Sequence, residues 1–227
     1  MVPSSSRTAA VVLAASTLFG CAAKTIEMKM AVDVVSEPER ASVTYKGKNI
    51  GETPKSFEVT TFDDVASITA TKADLDVVEK RIRILSPDKA VVVFHLGKGG
   101  ISPVAKKLNL TRVLVFEYAE KVCFDSAKAD LKPDAIPVLA RQAEILNRYF
   151  PKAQVYVCGY TDSTGSDAFN DKLSLQRAET VRNFLVNQSV DPARLKTQGF
   201  GKQFEVAPNT TAEGRALNRR TEVILPE

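Results

Sequence analysis

The stretch from Val155 to Asn187 constrains the chain more than any other. Val155-Tyr-Val-Cys158 is β-branched and aromatic and reads as a buried strand. It runs into the polar, glycine-bounded loop Gly159-Tyr-Thr-Asp-Ser-Thr-Gly165. Beyond the loop, Ala178, Val181, Leu185 and Gln188 recur at steps of three and four, so the spacing predicts a helix over 167–187. Asp162 then stands where a strand gives way to a loop. Asn170, Leu173, Ser174 and Arg177, spaced i, i+3, i+4, i+7, share one face of the helix. An acid on the loop and an arginine on the adjacent helix face suit a small ligand carrying both an ammonium and a carboxylate. The aspartate accepts from the ammonium, and the planar guanidinium forks onto the carboxylate.

Around this stretch the pattern alternates. Val113-Leu-Val-Phe116 through Val122-Cys-Phe124 reads as a first strand. Ile136, Leu139, Ala143, Leu146 and Phe150 step by three and four, predicting a helix over 133–149, with Pro133 at its start and Pro151 past its end. Leu195-Lys-Thr-Gln-Gly199 opens a third strand and Arg220-Thr-Glu-Val-Ile-Leu225 is the last. The order β-α-β-α-β-β predicts an α+β two-layer sandwich, helices on one sheet.

Four blocks in this order resemble the peptidoglycan-binding domain at the C-terminus of the OmpA/Pal/MotB family. They are Val122-Cys-Phe-Asp125; Thr161-Asp162 with Leu173 to Ala178; Arg194-Leu195 with Gln198-Gly-Phe-Gly201; and Asn209, Glu213-Gly-Arg215 with Asn218-Arg-Arg-Thr-Glu222. The resemblance implies that Asp162 and Arg177 hold the zwitterionic end of meso-diaminopimelate in a stem peptide. It makes Arg219 a second carboxylate-facing cation, with Arg215 and Arg220 as structural arginines. Leu173 is expected to wall the ligand's methylene chain, and Asn170 either orders the loop or touches the ligand. Asp125, Ser126 and Ala127 are expected to form the opposite rim through backbone amides.

Charge narrows the function further. The chain carries +4, but from Thr111 onward 16 Lys and Arg face 15 Asp and Glu, so no basic footprint for nucleic acid exists. His95 is the one histidine among the 227 residues, so no metal site of the zinc type assembles, and no phosphate loop or nucleophile elbow is present. Asp162 is committed to an ammonium, with no visibly paired His, Cys or second carboxylate. The chain therefore reads as a binding protein without cofactor, not as an enzyme.

At the N-terminus, Arg7 precedes the apolar run Thr8–Leu18, too short to span a bilayer but suited to a signal peptide. Leu18-Phe-Gly-Cys21 resembles a bacterial lipobox, which implies cleavage before Cys21, its acylation, and, with Ala22 following, an outer-membrane lipoprotein facing the periplasm. Residues 1–20 are then leader and 21–30 tether. Lipidation of Cys21 leaves Cys123 and Cys158, both on predicted strands of one sheet, open to a disulfide or to separate burial.

Residues 31–97 read as all-β, with short strands at Val32–Val35, Ala41–Tyr45, Phe57–Thr60, Ala66–Ala70 and Ala90–Leu96 forming a small sandwich. Ser36-Glu-Pro-Glu-Arg-Ala41-Ser-Val43, Gly47 and Ile50-Gly-Glu-Thr-Pro54 resemble a PEGA domain, with Arg40 where a glycine is usual. Residues 98–111 read as a linker, Lys98-Gly-Gly-Ile-Ser-Pro103 leading it, and 112–227 as the peptidoglycan-binding unit. The function implied is a tether between outer membrane and cell wall. The alternative is an envelope adaptor whose PEGA-like unit recruits a partner protein or a secretion or motility complex.

Overall fold

The computed structural model describes residues 29–97 and 99–227; the stretches read as leader and most of the tether, with Cys21, lie outside them. The first half comprises β1 (Met30–Glu37), β2 (Ser42–Tyr45), β3 (Lys48–Glu52), β4 (Lys55–Val59), α1 (Phe62–Ser67), β5 (Thr69–Thr71), β6 (Val77–Ser86) and β7 (Lys89–Leu96). Then follow α2 (Pro103–Lys107), β8 (Val113–Ala119), α3 (Glu120–Cys123), α4 (Ala135–Tyr149), β9 (Val155–Gly159), α5 (Asp167–Asn187), β10 (Leu195–Gly199), α6 (Ala212–Asn218) and β11 (Arg220–Pro226).

The second half is the expected mixed α+β layer. β8 and β11 pair antiparallel, as do β11 and β9, while β9 and β10 pair parallel. Helix α5 spans the predicted limits, capped at Ser166, whose hydroxyl accepts from the Phe169 amide. Helix α4 begins at Ala135. It buries Val138, Leu139, Ala143, Ile145 and Leu146 and leaves Ile136 outside, so its apolar face is rotated from the spacing first read.

The first half departs from the all-β expectation. The strand expected over Ala66–Ala70 starts as the end of helix α1. The Thr61 hydroxyl caps it by accepting from the Asp64 amide, Asp63 and Asp64 fill its first turn, and Phe62 and Val65 are buried three residues apart. Strand β6, at ten residues, escapes an apolar-alternation search because Glu79, Arg81 and Arg83 occupy one face. Arg40 sits at φ +64°, the left-handed region that a glycine would hold without strain.

Strand β6 also joins the halves. It forms a hairpin with β7 and pairs in parallel with β8, so one eight-stranded sheet runs β10-β9-β11-β8-β6-β7-β1-β4 past the stretch read as a linker. Strands β3, β2 and β5 form a second, smaller sheet. One face of the large sheet packs Ile82, Ile84, Phe116, Val157 and Val223 into a core shared with α4, α5 and the first half. The other face is covered by α2 and the turn at Phe200, with Val104, Ala105, Val115, Tyr160 and Ile224 inside.

Beneath that cover lies a set of six ionised side chains. Arg81 Nη1 donates to Glu117 Oε2 and Glu222 Oε1, both at 2.6 Å, and its Nη2 donates to Glu79 Oε1 at 2.8 Å. Arg83 donates to Glu117 at 2.5 Å and Arg220 to Glu222 at 2.9 Å. The Tyr160 hydroxyl donates to Glu222 at 2.9 Å, and the Ser102 amide donates to Glu79 at 3.0 Å. Three arginines balance three glutamates, so the buried set is neutral. Its acceptors are filled from β6, from β11, from Tyr160 just past β9 and from the segment before α2.

Cys123 lies in α3 rather than on a strand, because β8 ends at Ala119. It packs in one core and Cys158 in the other, and both are buried free thiols. Burial pushes the Cys123 thiol up to about 12.

Removing one member of a buried ion set strands its partners. Arg81→Met is expected to cost about 3–5 kcal/mol in urea unfolding. Burial alone would raise the Glu222 carboxyl, but Arg81 and Arg220 outweigh it and hold it at about 2, against 4.5 ordinarily. The unfolded chain then takes up this proton first. Stability is therefore full above pH 4.5 and is lost as pH falls toward 2; urea titrations across that window should show a shallower acid limb for Glu222→Gln.

Candidate functional site

Asp162 and Arg177 are brought together by the close seating of α5 on the sheet. A Cβ added to Gly159 would lie 2.0 Å from the Ser174 carbonyl oxygen, and one added to Gly199 would lie 2.5 Å from the Leu175 nitrogen. Only a residue without a side chain lets the helix backbone approach β9 and β10 this closely. The Ser174 hydroxyl donates to the Asp171 carbonyl and accepts from the Gly201 amide, tying the helix to the turn after β10.

The loop between β9 and α5 is held from within. Asp162 Oδ1 accepts from the Thr164 amide at 2.8 Å, and Asn170 Nδ2 donates to the Thr164 carbonyl at 2.9 Å. Asn170 thus helps to order the loop, together with Asp162. The Thr161 amide donates to the Gly201 carbonyl, and its hydroxyl donates to the carbonyl of Asp162.

A cleft of about 320 Å³ opens between this loop, α3, the turn after it and α6. Thr161, Asp162, Asn170, Leu173, Arg177 and Arg219 all line it, with Ser126 and Ala127 forming the opposite rim. Asp125 does not line it. Its side chain is exposed and paired with Lys128, and it serves through its carbonyl, which accepts from Arg177 Nη2 at 3.3 Å. Thr164, Phe169, Arg215 and Glu120 line the cleft as well. Phe169 stands at the mouth, 48% exposed. Arg215 is tied back to the Asn209 carbonyl.

The charges form a chain across the cleft. Arg177, 1% exposed, donates through Nε to the Lys128 carbonyl at 2.8 Å and through Nη2 to Glu120 Oε1 at 2.5 Å. Its guanidinium lies 5.1 Å from the centre of the Phe124 ring. Nη1 has no hydrogen-bond partner among the described residues. Arg219 donates through Nε to Glu120 Oε2 at 2.5 Å and through Nη1 to Asp162 Oδ2 at 2.6 Å. Asp162 and Arg177 therefore meet through Glu120 and Arg219 rather than directly. Partial burial would raise the Asp162 carboxyl; Arg219 and the Thr164 amide outweigh it and leave it below its ordinary value. Arg219 is correspondingly raised, because its bonds to Asp162 and Glu120 overcome its own desolvation.

Glu120 was not singled out by the sequence, which showed no second acid near Asp162. It stands one residue past β8, where the chain turns under α6 and the Glu120 amide donates to the Arg219 carbonyl. No local spacing links it to positions 162, 177 or 219. His95 lies far from this cleft in the fold, on β7 beside Glu37. Among the described residues no three His, Cys, Asp or Glu side chains gather as metal ligands.

The match to the model of the OmpA family covers residues 123–219, from the end of α3 to the cleft arginine. This stretch, somewhat under half of the chain, is similar to the OmpA family domain. The chain is 46% identical over 112 residues to the probable lipoprotein YiaD of Escherichia coli K12, covering 49% of this chain and 51% of that protein. It is 40% identical over 104 residues to the peptidoglycan-binding protein ArfA of Mycobacterium bovis, covering 46% and 32%. Among solved structures, the cell wall anchor of the T6SS from Pseudomonas aeruginosa aligns at 31% identity and a TM-score of 0.46, over 54% of this chain and 91% of that one. The chain spans about half the length, or less, of these curated relatives. By name these relatives are a lipoprotein, a peptidoglycan-binding protein and a cell wall anchor, none of them an enzyme.

The glycine contact can be tested. Gly159→Ala is expected to force α5 off β9 and cost about 1–3 kcal/mol or more in thermal or urea unfolding, since the clash is with backbone and no rotamer relieves it.

Proposed function

We propose that the protein is an outer-membrane lipoprotein that faces the periplasm and binds peptidoglycan non-covalently through the diaminopimelate of its stem peptides. The observation that carries this is the alternation of charge within one cleft. Arg177 presents Nη1 from a fixed and buried guanidinium, and Asp162 presents an ionised carboxylate held by the Thr164 amide on one oxygen and by Arg219 on the other. An amino-acid end has its carboxylate and ammonium on one carbon and needs such a pair at short range. Leu173 offers an apolar wall for the methylenes that follow. The names borne by relatives of the domain, a lipoprotein and a peptidoglycan-binding protein among them, support the same reading.

In this reading the leader over 1–20 is removed, Cys21 is acylated, and residues 21–30 reach from the membrane to β1. Two or more acyl chains anchor durably where one binds only marginally. The PEGA-like unit over 31–97 acts as a rigid spacer. Its support is that β6 shares both a hydrogen-bond ladder and a buried ion set with the wall-binding unit. A recruiting module on a free linker would have neither.

Sedimentation with purified sacculi tests the site. Asp162→Ala and Arg177→Ala are each expected to weaken binding by about 2–5 kcal/mol, because each leaves a desolvated opposite charge without its partner. Pelleting of both variants at the wild-type level would remove the assignment. Thermal unfolding run in parallel separates lost binding from lost fold for Arg177, which also holds the 125–128 rim.

A further inference from the structure

The cleft contains its own substitute for a ligand carboxylate. Glu120 places one oxygen on Arg177 Nη2 and the other on Arg219 Nε, both at 2.5 Å. Arg177 also spends Nε on the Lys128 carbonyl and the remaining reach of Nη2 on the Asp125 carbonyl. Only Nη1 stays open, so an incoming carboxylate meets a single nitrogen instead of the two-nitrogen edge that gives guanidinium–carboxylate pairs their strength. Arg219 is in the same position, bonded to Glu120 and Asp162 at once.

We infer that Glu120 is a built-in competitor, a positioning residue that seats both arginines and must yield them before a ligand carboxylate is gripped by two nitrogens. The two glutamate oxygens stand in for the two oxygens of the ligand's carboxylate. Glu120 gives the buried guanidinium a charged partner besides the Lys128 and Asp125 carbonyls, without which its burial would be costly. In the bound state one carboxylate replaces another, so net affinity is the difference between the two and not the strength of either. Arg219 is 31% exposed at its side chain and has room to turn outward, carrying its Glu120 contact with it, whereas Glu120 and Arg177 are buried at 9% and 1%. The inference rests on the diaminopimelate reading and concerns how that same site is regulated.

The charged groups facing Glu120 are Arg177 from α5 and Arg219 from the end of α6, with Asp162 beyond Arg219 and Arg215 on the cleft wall. Glu120→Gln keeps the shape and removes the competing charge. Calorimetric titration of the described chain with free meso-diaminopimelate is expected to show the variant binding about 10-fold tighter than wild type, the scale of one charge-assisted hydrogen bond no longer exchanged. A residue that merely supported the fold would move affinity the other way. Weaker or equal binding by a folded Glu120→Gln variant, with wild type binding normally, overturns the role of Glu120 alone. A wild-type protein that binds neither diaminopimelate nor sacculi overturns the peptidoglycan reading and this inference with it. Should the variant fail to fold, a crystal structure of wild type with meso-diaminopimelate decides: Glu120 withdrawn from Arg177 supports the exchange, and the pair intact at its present distance refutes it.

Discussion

A guanidinium taken out of water must find oxygen acceptors, and Arg177 is the largest fully buried side chain among the described residues. Meeting that requirement shapes the whole cleft. The Lys128 and Asp125 carbonyls bend the turn after α3 inward, Ala127 takes a left-handed φ of +57°, and Glu120 is drawn from the end of β8. The helix supplying Arg177 is in turn fixed by two glycines on β9 and β10. Site and scaffold are thus one arrangement: the sheet positions the helix, the helix positions the cation, and the cation positions the rim.

The same requirement recurs on the opposite face of the sheet, where Arg81 crosses from one half of the chain to Glu117 and Glu222 in the other. Apolar residues there would pack in many registers. An ion set of three acids and three bases is satisfied in one, so β6 is held against β8 in a single alignment. The cost of dehydrating these groups is offset only while every partner is present.

Much of this was legible in the sequence, and the reasons for the rest are local. The strand–loop–helix unit over 155–187 was readable because its burial follows one period through Asn170, Leu173, Ser174, Arg177, Ala178, Val181 and Leu185. Asp162 and Arg177 followed from that geometry. Glu120 did not, since its partners lie 57 and 99 residues away and no spacing records a contact of that range. Strand β6 was hidden for a related reason: its inward face carries Glu79 and Arg81, so buried positions look like exposed ones until the opposing acids on β8 and β11 are known. Helix α1 was obscured by the β-branched neighbours Val65, Ile68 and Thr69, and its Thr61 cap was the signal available.

The continuity of the large sheet has a mechanical consequence. Under the proposed anchoring, tension between membrane and wall enters at β1 and leaves through α5 and the cleft beside β9. It must cross the ladders β1–β7, β7–β6, β6–β8, β8–β11 and β11–β9 in turn. Each ladder in that series bears the full load, so the weakest ladder sets how hard the envelope layers can be pulled apart.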